Sequence, residues 1–445
     1  MHLSPWNKQG RGEVVLGQDN QTVVILGANG TMGPPSGAVF AGAGFKVVML
    51  ARDMDKAHQA LEGAQNAARA EAVAERITLG TYEHDLARAV GEATMVFESL
   101  AEDLALKKKF FEQVDRCRRD DCVVASGSSG LSIAAMAEGR SDSFRRHFLG
   151  VHLFNPPNVI VGAEVIPNPD TDPAVMRAVV KMMRERLGRK VIVTRDRPAF
   201  VGNRIGFKVL NEAAQLAAEH GVAFIDYVAG PQTGRAMPPL QTIDLVGWDV
   251  HRAIVDNVYA QVEDEAHSAF HLPDFMARGI AEGRLGDKTP KTGGFYRRPD
   301  KRTVEVLDPA SGSYQPFEAP RRVEFVERMK QFNRVGRYAD AFAVFADATG
   351  PEADIARRLI LGYVSYALNR VGEVAESAED VDTIMSFGFN WAPPCAIIDL
   401  LGARKAVELF KRHGLVVPPV VEKAAANGGK LFHGGALQYG RTFVG

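Results

Sequence analysis

One histidine and one carboxylate, both set in apolar segments, are the residues in this sequence best suited to proton transfer. His152 ends a short apolar run, Phe148 to Leu153, and Glu164 lies inside a second apolar run after the stiff turn Pro156-Pro157. Two strands joined by that turn would bring the imidazole and the carboxylate together. A carboxylate on one ring nitrogen fixes the tautomer and stabilises the protonated ring, so the other nitrogen can act as a general base. Because a lone histidine on an apolar strand is more often a core residue, catalysis needs support from other segments.

A glycine-rich turn follows the first β-like segment. Thr22 to Leu26 ends directly in Gly27-Ala28-Asn29-Gly30-Thr31-Met32-Gly33, before a helix-like segment. Strand, glycine turn and helix start are the context of a dinucleotide fingerprint, because glycines let the backbone approach a pyrophosphate and the helix N-terminus supplies free N–H groups. Asn29 is extra relative to the spacing G-x-G-x-x-G, and Pro34 and Pro35 follow in the first helical turn, where proline is tolerated. The predicted cofactor site includes Gly27, Asn29, Gly30, Thr31, Met32 and Gly33.

The end of the second predicted strand bears on the choice of cofactor. Lys46 to Leu50 is followed by Ala51-Arg52-Asp53, where an NAD-binding protein normally has an acid for the ribose hydroxyls. Alanine stands in place of that acid, and the guanidinium of Arg52 suits a 2′-phosphate. The alternative makes Arg52 a solvated loop charge and Asp53 a helix N-cap. This segment slightly favours NADP.

Strand-like and helix-like segments alternate as far as residue 196 and predict an α/β fold with a Rossmann-like, doubly wound and mostly parallel sheet. Further strands are expected at Val96–Glu98, Cys122–Ala125 and Lys190–Thr194, with a helix from Met54 to Ala74. Ligands bind at the carboxyl ends of the strands in such sheets. A site is therefore expected at Gly27, Arg52, Ser99, Ser129 and His152.

The remainder of the chain is helical and contains an internal repeat. Gly234 to Gly247 matches Gly388 to Gly402, and each match follows a helix that contains an asparagine, Asn211 or Asn369. Two correspondences in register predict two related all-helical C-terminal domains. The expected divisions are a flexible arm over 1–20, a dinucleotide-binding domain over 21–196, helical domains over 197–300 and 346–445, and a packed linker over 301–345.

Composition narrows the class of protein. Among 445 residues, 46% are hydrophobic and 24% charged, and the formal net charge of −1 gives no electrostatic case for nucleic acid or membrane partners. Three cysteines show no metal spacing and cannot form a disulfide framework, which suits a reducing cytoplasm. The first twenty residues have no signal-peptide pattern.

These segments together resemble the L-3-hydroxyacyl-CoA dehydrogenase family from Thr22 to the C-terminus. The most specific matches are VHLFNPPNVIVGAEVI, TRDRPAFVGNRI, VFESLAED, GRAMPPLQTIDLVG and GRLGDKTPKTGGFY. The second repeat resembles the extra domain found where such a dehydrogenase is fused to an enoyl-CoA hydratase. The resemblance implies an oxidoreductase of fatty-acid β-oxidation with NAD as the default cofactor and an acyl-CoA as substrate.

The resemblance also implies roles for individual residues. His152 would be the general base and Glu164 its partner. Ser129 and Asn203 match polar groups around the reacting carbon, while Glu102 and Lys107 match contacts on the cofactor side.

Two departures leave alternatives open. Gly127 replaces the asparagine usual in the family, and the segment from Met54 to Thr94 is too short and too acidic for the basic helical hairpin that clamps CoA phosphates in relatives. The chain is therefore also compatible with a dehydrogenase of free 3-hydroxy acids, of the carnitine or gulonate type, or with a non-catalytic nucleotide-binding relative. Because single-copy relatives complete their helical domain by dimerising, two copies in one chain predict a monomer or a loose homodimer.

Overall fold

The computed structural model describes residues 16–433 and 439–445 and consists of two compact units, Met1–Phe200 and Val201–Gly445. The expected domain boundary at 196–197 falls four residues before this division. Most of the arm expected over 1–20 lies outside the described residues.

The first unit is built around one eight-stranded sheet, in the order β3-β2-β1-β4-β5-β6-β7-β8. Among the described strand pairs of this sheet, only β6–β7 is antiparallel. The predicted doubly wound, mostly parallel sheet is confirmed. Its strands are β1 (Thr22–Leu26), β2 (Lys46–Ala51), β3 (Ile77–Thr81), β4 (Met95–Glu98), β5 (Val123–Ser126), β6 (Phe148–Leu153), β7 (Gly162–Pro167) and β8 (Lys190–Val193). Its helices are α1 (Gly33–Gly42), α2 (Met54–Ala68), α3 (Tyr82–Glu92), α4 (Leu104–Cys117), α5 (Ile133–Ala137), α6 (Asp142–Arg146) and α7 (Pro173–Glu185).

Both faces of this sheet are buried, because side chains alternate along each strand. On β1, Val23 and Ile25 belong to the core shared with α1, α2 and α7, whereas Val24 and Leu26 belong to the core shared with α3 to α6. Strands covered on both faces form near-continuous apolar runs, as the TVVIL sequence of β1 does. The residues that follow the carboxyl ends of these strands are therefore held in place by a sheet that is packed on both faces.

The segment between β2 and β3 is shorter in helix than the sequence predicted. The helix expected from Met54 to Ala74 ends at Ala68, because Arg69 adopts a left-handed conformation with φ of 53°. A 3₁₀ helix, Glu71–Arg76, follows and leads directly into β3. One α-helix therefore fills this crossover, and no second α-helix forms a hairpin with it in the described chain.

The second unit is helical except for a small three-stranded antiparallel sheet. The predicted hairpin between Val304 and Phe317 is present as two of these strands. The strands are β9 (Tyr296–Arg297), β10 (Glu305–Leu307) and β11 (Tyr314–Pro316). The helices are α8 (Gly202–His220), α9 (Val222–Val228), α10 (Pro239–Val246), α11 (Trp248–Gln261), α12 (Asp274–Ala281), α13 (Glu324–Arg334), α14 (Tyr338–Asp347), α15 (Pro351–Asn369), α16 (Ala378–Phe387), α17 (Pro394–Leu401), α18 (Ala403–Arg412), α19 (Pro419–Asn427) and α20 (Tyr439–Thr442).

The repeat in this unit extends to individual hydrogen bonds. The Asp244 carboxylate on α10 accepts the two consecutive backbone N–H groups of Phe295-Tyr296, at 2.9 and 2.8 Å. The Asp399 carboxylate on α17 accepts those of Leu431-Phe432, at 2.9 and 3.1 Å. Sequence comparison missed Leu431-Phe432 as a counterpart, because the glycine-rich loop before Phe295 has no match of the same length in the second copy.

The two copies contact one another within the second unit. Arg235 and Trp391 form an antiparallel β-bridge. The buried guanidinium of Arg204 on α8 pairs with Asp264 at 2.7 Å, and Arg370, just after α15, pairs with the same carboxylate at 2.8 Å. A polar contact with this many partners fixes the pairing of the copies.

Candidate active site

His152 and Glu164 face each other across the antiparallel pair β6–β7, in direct register. The Nδ1 atom of His152 lies 2.5 Å from Oε2 of Glu164, and the two residues are 3% and 0% exposed. The Nε2 atom has no hydrogen-bond partner among the described residues and is not one of the fully enclosed unpaired polar atoms. One nitrogen is therefore fixed by a carboxylate, and the other is available to a substrate.

Aromatic rings hold the imidazole from two further directions. The ring centroids of Phe154 and Phe200 lie 4.7 and 5.8 Å from that of His152. Phe200 and its neighbour Ala199 are both fully buried and adopt left-handed conformations, with φ of 52° and 62°. Left-handed conformations of non-glycine residues persist only where surrounding contacts enforce them, and they concentrate at functional sites. The backbone at 199–200 is thus strained where a ring is placed beside His152.

The loop that connects β6 to β7 is held by a buried arginine. One terminal nitrogen of Arg189 donates to the carbonyl oxygens of Pro157 and Ile160, at 2.6 and 2.8 Å. Burial without a carboxylate partner lowers the pKa of Arg189. The amide of Asn158 donates to the carbonyl oxygen of Ala67 at the end of α2, at 2.9 Å. These contacts fix the path of the chain between the two proposed catalytic residues.

A buried ion pair lies at the ends of β4 and β5. The carboxylate of Glu98 accepts from Lys107 Nζ and Ser126 Oγ, each at 2.6 Å, and from the backbone N–H of Leu100 at 2.6 Å. Lys107 is 1% exposed, so its ammonium is enclosed rather than presented to solvent. The structure thus gives Lys107 a carboxylate partner, and its predicted cofactor contact stays a prediction.

Glu102 connects this pair to the loop that contains Ser129. One oxygen of Glu102 accepts from Ser128 Oγ at 2.5 Å and from the backbone N–H groups of Ser129 and Gly130 at 2.8 and 3.1 Å, while the other lies 3.4 Å from Lys107 Nζ. Ser129 itself does not cap a helix, since Ser132 is the N-cap of α5. The structure therefore brings two predicted site residues, Glu102 and Ser129, into contact.

Close contacts explain the presence of glycine at position 127. Its N–H donates to the carbonyl oxygen of Glu98 at 2.7 Å, and a Cβ atom there would lie 2.7 Å from the same oxygen and 3.1 Å from the Phe97 ring. A side chain at this position requires the strand end to move. Glycine at this position therefore allows the loop after β5 to lie close to the end of β4.

The glycine turn between β1 and α1 is closely packed. Gly27 has φ of 80°, and a Cβ atom there would lie 2.4 Å from the carbonyl oxygen of Ser99. Ser99 Oγ donates to the carbonyl oxygen of Leu26 at 3.1 Å. At Gly30 a Cβ atom would lie 3.3 Å from the carbonyl oxygen of Gly27, which is a tight but less severe contact. Ser99 thus shapes the turn, and both glycines keep it compact.

The expectation that the N-terminus of α1 supplies the anion-binding N–H groups is wrong. Gly33 donates to the carbonyl oxygen of Gly30 and Ser36 to that of Met32, and the two residues between them are prolines without an N–H. The available donors lie in the preceding turn. Within the described residues, the backbone N–H groups of Asn29, Thr31 and Met32 donate to no other group.

The residues at the carboxyl ends of β2 and β3 form a further part of the candidate site. Ala51 is fully buried, and Arg52 is exposed with no ion pair or hydrogen bond to a described residue. Asp53 caps α2 by accepting from the backbone N–H of Lys56 at 2.8 Å, which confirms the helix N-cap alternative. Tyr82, directly after β3, accepts the N–H of Gly27 on its hydroxyl at 2.8 Å.

Asn203 belongs to the second unit. It is buried as the second residue of α8, whose N-cap is Val201, so Asn203 is not a helix cap. Its contact with a substrate oxygen stays a prediction.

Several residues of this edge were not predicted from the sequence. Tyr82 follows a strand as directly as Arg52 does, and the rule that selected Arg52 would have found it. Glu98, Arg189 and Phe200 gave no such signal, since a buried acid, a buried arginine and a strained phenylalanine are recognisable only from their partners.

The doubly wound sheet and its glycine turn define a dinucleotide-binding protein of the dehydrogenase class. Comparison with known proteins identifies its family. Residues 22–197 match the NAD-binding domain of 3-hydroxyacyl-CoA dehydrogenase, and residues 200–298 match the C-terminal domain of the same enzyme. This chain belongs to the 3-hydroxyacyl-CoA dehydrogenase family, and its first unit is an NAD-type cofactor-binding domain.

Individual relatives agree with that assignment. A probable 3-hydroxyacyl-CoA dehydrogenase of Bacillus subtilis is 32% identical over 365 residues, which are 80% of this chain and 45% of that protein. Another from Deinococcus radiodurans is 32% identical over 62% of this chain and 82% of its own length. The crystal structure of 3-hydroxybutyryl-CoA dehydrogenase from Escherichia coli has the same fold, with a TM-score of 0.68 and 21% identity over 92% of this chain and 99% of that chain. The chain thus spans less than half the length of the Bacillus relative.

No helix among the described residues is both long enough and apolar enough to cross a membrane.

Proposed function

We propose that this chain interconverts an L-3-hydroxyacyl-CoA and a 3-oxoacyl-CoA by hydride transfer with a nicotinamide cofactor, in fatty-acid β-oxidation or related acyl-CoA metabolism. The observation that supports this most directly is the buried contact between His152 and Glu164, 2.5 Å long, which leaves Nε2 of the histidine unpaired among the described residues. Family membership supports the substrate class, and the His152–Glu164 pair supports the chemistry.

In the oxidising direction, Nε2 of His152 takes the proton of the substrate hydroxyl. Glu164 stabilises the imidazolium that forms, because the carboxylate already accepts from Nδ1. Ser129 holds the substrate oxygen. In the reducing direction the protonated His152 returns the proton. A bound nicotinamide supplies the hydride acceptor or donor.

The glycine turn fits the pyrophosphate of such a cofactor. The backbone N–H groups of residues 29, 31 and 32 flank Gly30 and are unpaired among the described residues. Ser99, Glu102 and Lys107 complete the proposed cofactor side. NAD is the family's cofactor, but Ala51 and the unpaired Arg52 favour NADP for this chain, since a guanidinium pairs well with a phosphate and no acid is present at the end of β2.

A second candidate keeps the reaction but takes a free 3-hydroxy acid. The single helix α2 favours it, because the segment between β2 and β3 lacks the second α-helix of a CoA clamp. Between Ala57 and Tyr82 the cations are Arg69 and Arg76, and both are offset by the exposed acids Glu62, Glu71 and Glu75. A site of this kind would gain little from the phosphates of CoA.

One experiment distinguishes these candidates. Reduction of acetoacetyl-CoA and of acetoacetate is followed with NADPH and with NADH, and free CoA is added at millimolar concentration as a competitor. We expect acetoacetyl-CoA to be the faster substrate and free CoA to inhibit. If acetoacetate is reduced and CoA does not inhibit, the substrate is a free 3-hydroxy acid and not a thioester. If neither compound is reduced, the chain is a nucleotide-binding protein without this activity.

We also propose that the second unit consists of a helical domain over 197–300, a packed linker over 301–345 and a second helical domain over 346–445. The shared contacts of Asp244 and Asp399 support duplication. Because Arg370 pairs with Asp264, and Arg204 with Glu373, across these copies inside one chain, the protein is expected to be a monomer or a loose homodimer. Light scattering that detects a tight dimer at low concentration would contradict this.

A further inference from the structure

Three loops meet at the carboxyl ends of β1, β2 and β3. The sheet order places β2 between the other two, with Leu50 beside Leu26 and Ala51 beside Thr81. Gly27 and Tyr82, the first residues after β1 and β3, are therefore separated by two strand spacings, roughly 10 Å. Since the Tyr82 hydroxyl accepts the Gly27 N–H at 2.8 Å, the phenol ring must cross the end of β2.

The phenol is held in this position. Its ring packs edge-on against Phe110, with centroids 4.9 Å apart. Burial raises the pKa of Tyr82, so the hydroxyl stays protonated and keeps a hydrogen to donate. That hydrogen has no acceptor among the described residues. Glu98, whose charge adds to burial in raising the pKa of Tyr82, is already bound to Lys107, Ser126 and the backbone at Leu100.

At this end of the sheet, Arg52 and the Tyr82 hydroxyl still have hydrogens to donate, with no acceptor among the described residues. An acid after β2 would accept from the two ribose hydroxyls of NAD. Here the position belongs to Ala51, and Asp53 uses its carboxylate to cap α2. Arg52 and Tyr82 add a cation and a neutral donor. Such donors match an acceptor-rich anion, and a phosphate monoester on the 2′ carbon of adenosine is the anion that a nicotinamide cofactor can present there.

We propose that Tyr82 is a coenzyme-specificity residue, whose hydroxyl accepts the Gly27 N–H and donates to the 2′-phosphate that pairs with Arg52. This role rests on the proposed use of a nicotinamide cofactor. Within that cofactor, the 2′-phosphate is the group that Arg52 binds. Ala51 is part of the same arrangement, because a carboxylate at the end of β2 would repel the phosphate. Tyr82 therefore joins the adenosine end of the site to the pyrophosphate turn through one oxygen atom.

The test compares the wild-type protein with Tyr82→Phe, which removes this oxygen and retains the ring that packs on Phe110. Dissociation constants are measured by fluorescence for NADPH and NADH, and by competition for adenosine 2′,5′-bisphosphate and 5′-AMP. We expect the variant to bind NADPH and the bisphosphate about tenfold more weakly, as for loss of one hydrogen bond to a charged group. Binding of NADH and 5′-AMP should change much less, since they have no 2′-phosphate.

Tyr314→Phe is the matched control. It removes a hydroxyl that donates to the carbonyl oxygen of Gly294 in the second unit, so neither coenzyme should be affected. Equal weakening of all four ligands by Tyr82→Phe would mean that Tyr82 only supports the Gly27 turn and would overturn the proposal. No weakening would overturn it as well. A wild-type protein that prefers NADH would also overturn it, while leaving the dehydrogenase proposal intact if acetoacetyl-CoA is reduced.

Discussion

The carboxyl edge of the first unit's sheet has two functional ends that are built differently. At the β6–β7 end, His152 and Glu164 are buried and paired at 2.5 Å, with aromatic rings around the imidazole. At the β1–β3 end, Arg52 is exposed and unpaired, and Tyr82 keeps an unused hydroxyl hydrogen. The imidazole at the first end is oriented by protein groups, whereas Arg52 and the Tyr82 hydroxyl hydrogen have no protein partner among the described residues.

This difference separates what the reaction demands from what the coenzyme demands. A general base must be held in one orientation before substrate arrives, and its partners are therefore protein groups. A specificity site gains selectivity from donors that only the correct ligand satisfies. We expect substitutions at the first end to reduce the rate with every substrate and coenzyme, and substitutions at the second end to change the preference between coenzymes.

The largest effect is expected from His152→Gln. The variant keeps a polar side chain but cannot accept the substrate proton, so the reduction rate should fall by about 10²–10⁴, the usual contribution of a positioned acid or base. Binding of coenzyme should be unchanged, because His152 lies three strands from β1 in the sheet. Steady-state assays with acetoacetyl-CoA and fluorescence titration of coenzyme measure the two quantities.

His147→Gln is the control for this prediction, since His147 lies at the C-terminus of α6 and contacts the carbonyl oxygen of Ser143. It should retain its rate. An unchanged rate in His152→Gln, with thermal unfolding also unchanged, would leave that histidine without a catalytic role and favour a non-catalytic nucleotide-binding protein.

The β6–β7 end, called the paired end because His152 and Glu164 pair there, was more predictable from sequence than the β1–β3 end. Apolar runs on either side of Pro156-Pro157 predict two antiparallel strands, and in such a pair one register places residues 152 and 164 opposite each other. The strand bounds at β1 were predicted to the residue, because a β-branched run ends there at a glycine turn. Local pattern and sheet register together therefore determine this part of the site.

What the sequence did not predict depends on contacts between distant segments. The prolines of α1 are compatible with a helix start, but only the hydrogen bonds of Gly33 and Ser36 show that no free N–H remains there. The contact between Tyr82 and Gly27 joins residues 55 positions apart across an intervening strand. Propensity and periodicity contain no information about such pairs.

An intermediate effect is expected from Arg52→Gln at the adenosine end. Loss of a charge-assisted hydrogen bond to a 2′-phosphate costs about 1.5–3 kcal/mol, so the preference for NADPH over NADH should fall by roughly tenfold to a hundredfold. The rate at saturating coenzyme should change little, because Arg52 is remote from His152. The ratio of kcat/KM values for the two coenzymes measures the change.

Arg116→Gln removes a charge of the same kind at the far end of α4, where Arg116 pairs with exposed Glu112. It should leave the coenzyme ratio unchanged. If both variants keep the wild-type ratio, Arg52 is a solvated charge and the contrast between the two ends is lost.

The smallest effect is expected from Ala199→Gly, and it tests the strain at the paired end. Ala199 has φ of 62° and is fully buried, and glycine adopts this conformation without a Cβ clash. Relief of the clash outweighs the greater flexibility of glycine in the unfolded chain, so unfolding should become harder by about 1 kcal/mol. Chemical denaturation measures this difference, and the reduction rate should stay near that of the wild type because the Phe200 ring keeps its place.

Ala87→Gly is the control, and it should lower the free energy of unfolding, because Ala87 is an exposed residue inside α3. Glycine there should destabilise by roughly 0.5–1 kcal/mol. If Ala199→Gly destabilised the protein by a similar amount, its backbone would not be strained. If it stabilised the protein but slowed the reaction, the strained backbone itself would hold Phe200 against His152, and the paired end would depend on conformational energy as well as on the carboxylate of Glu164.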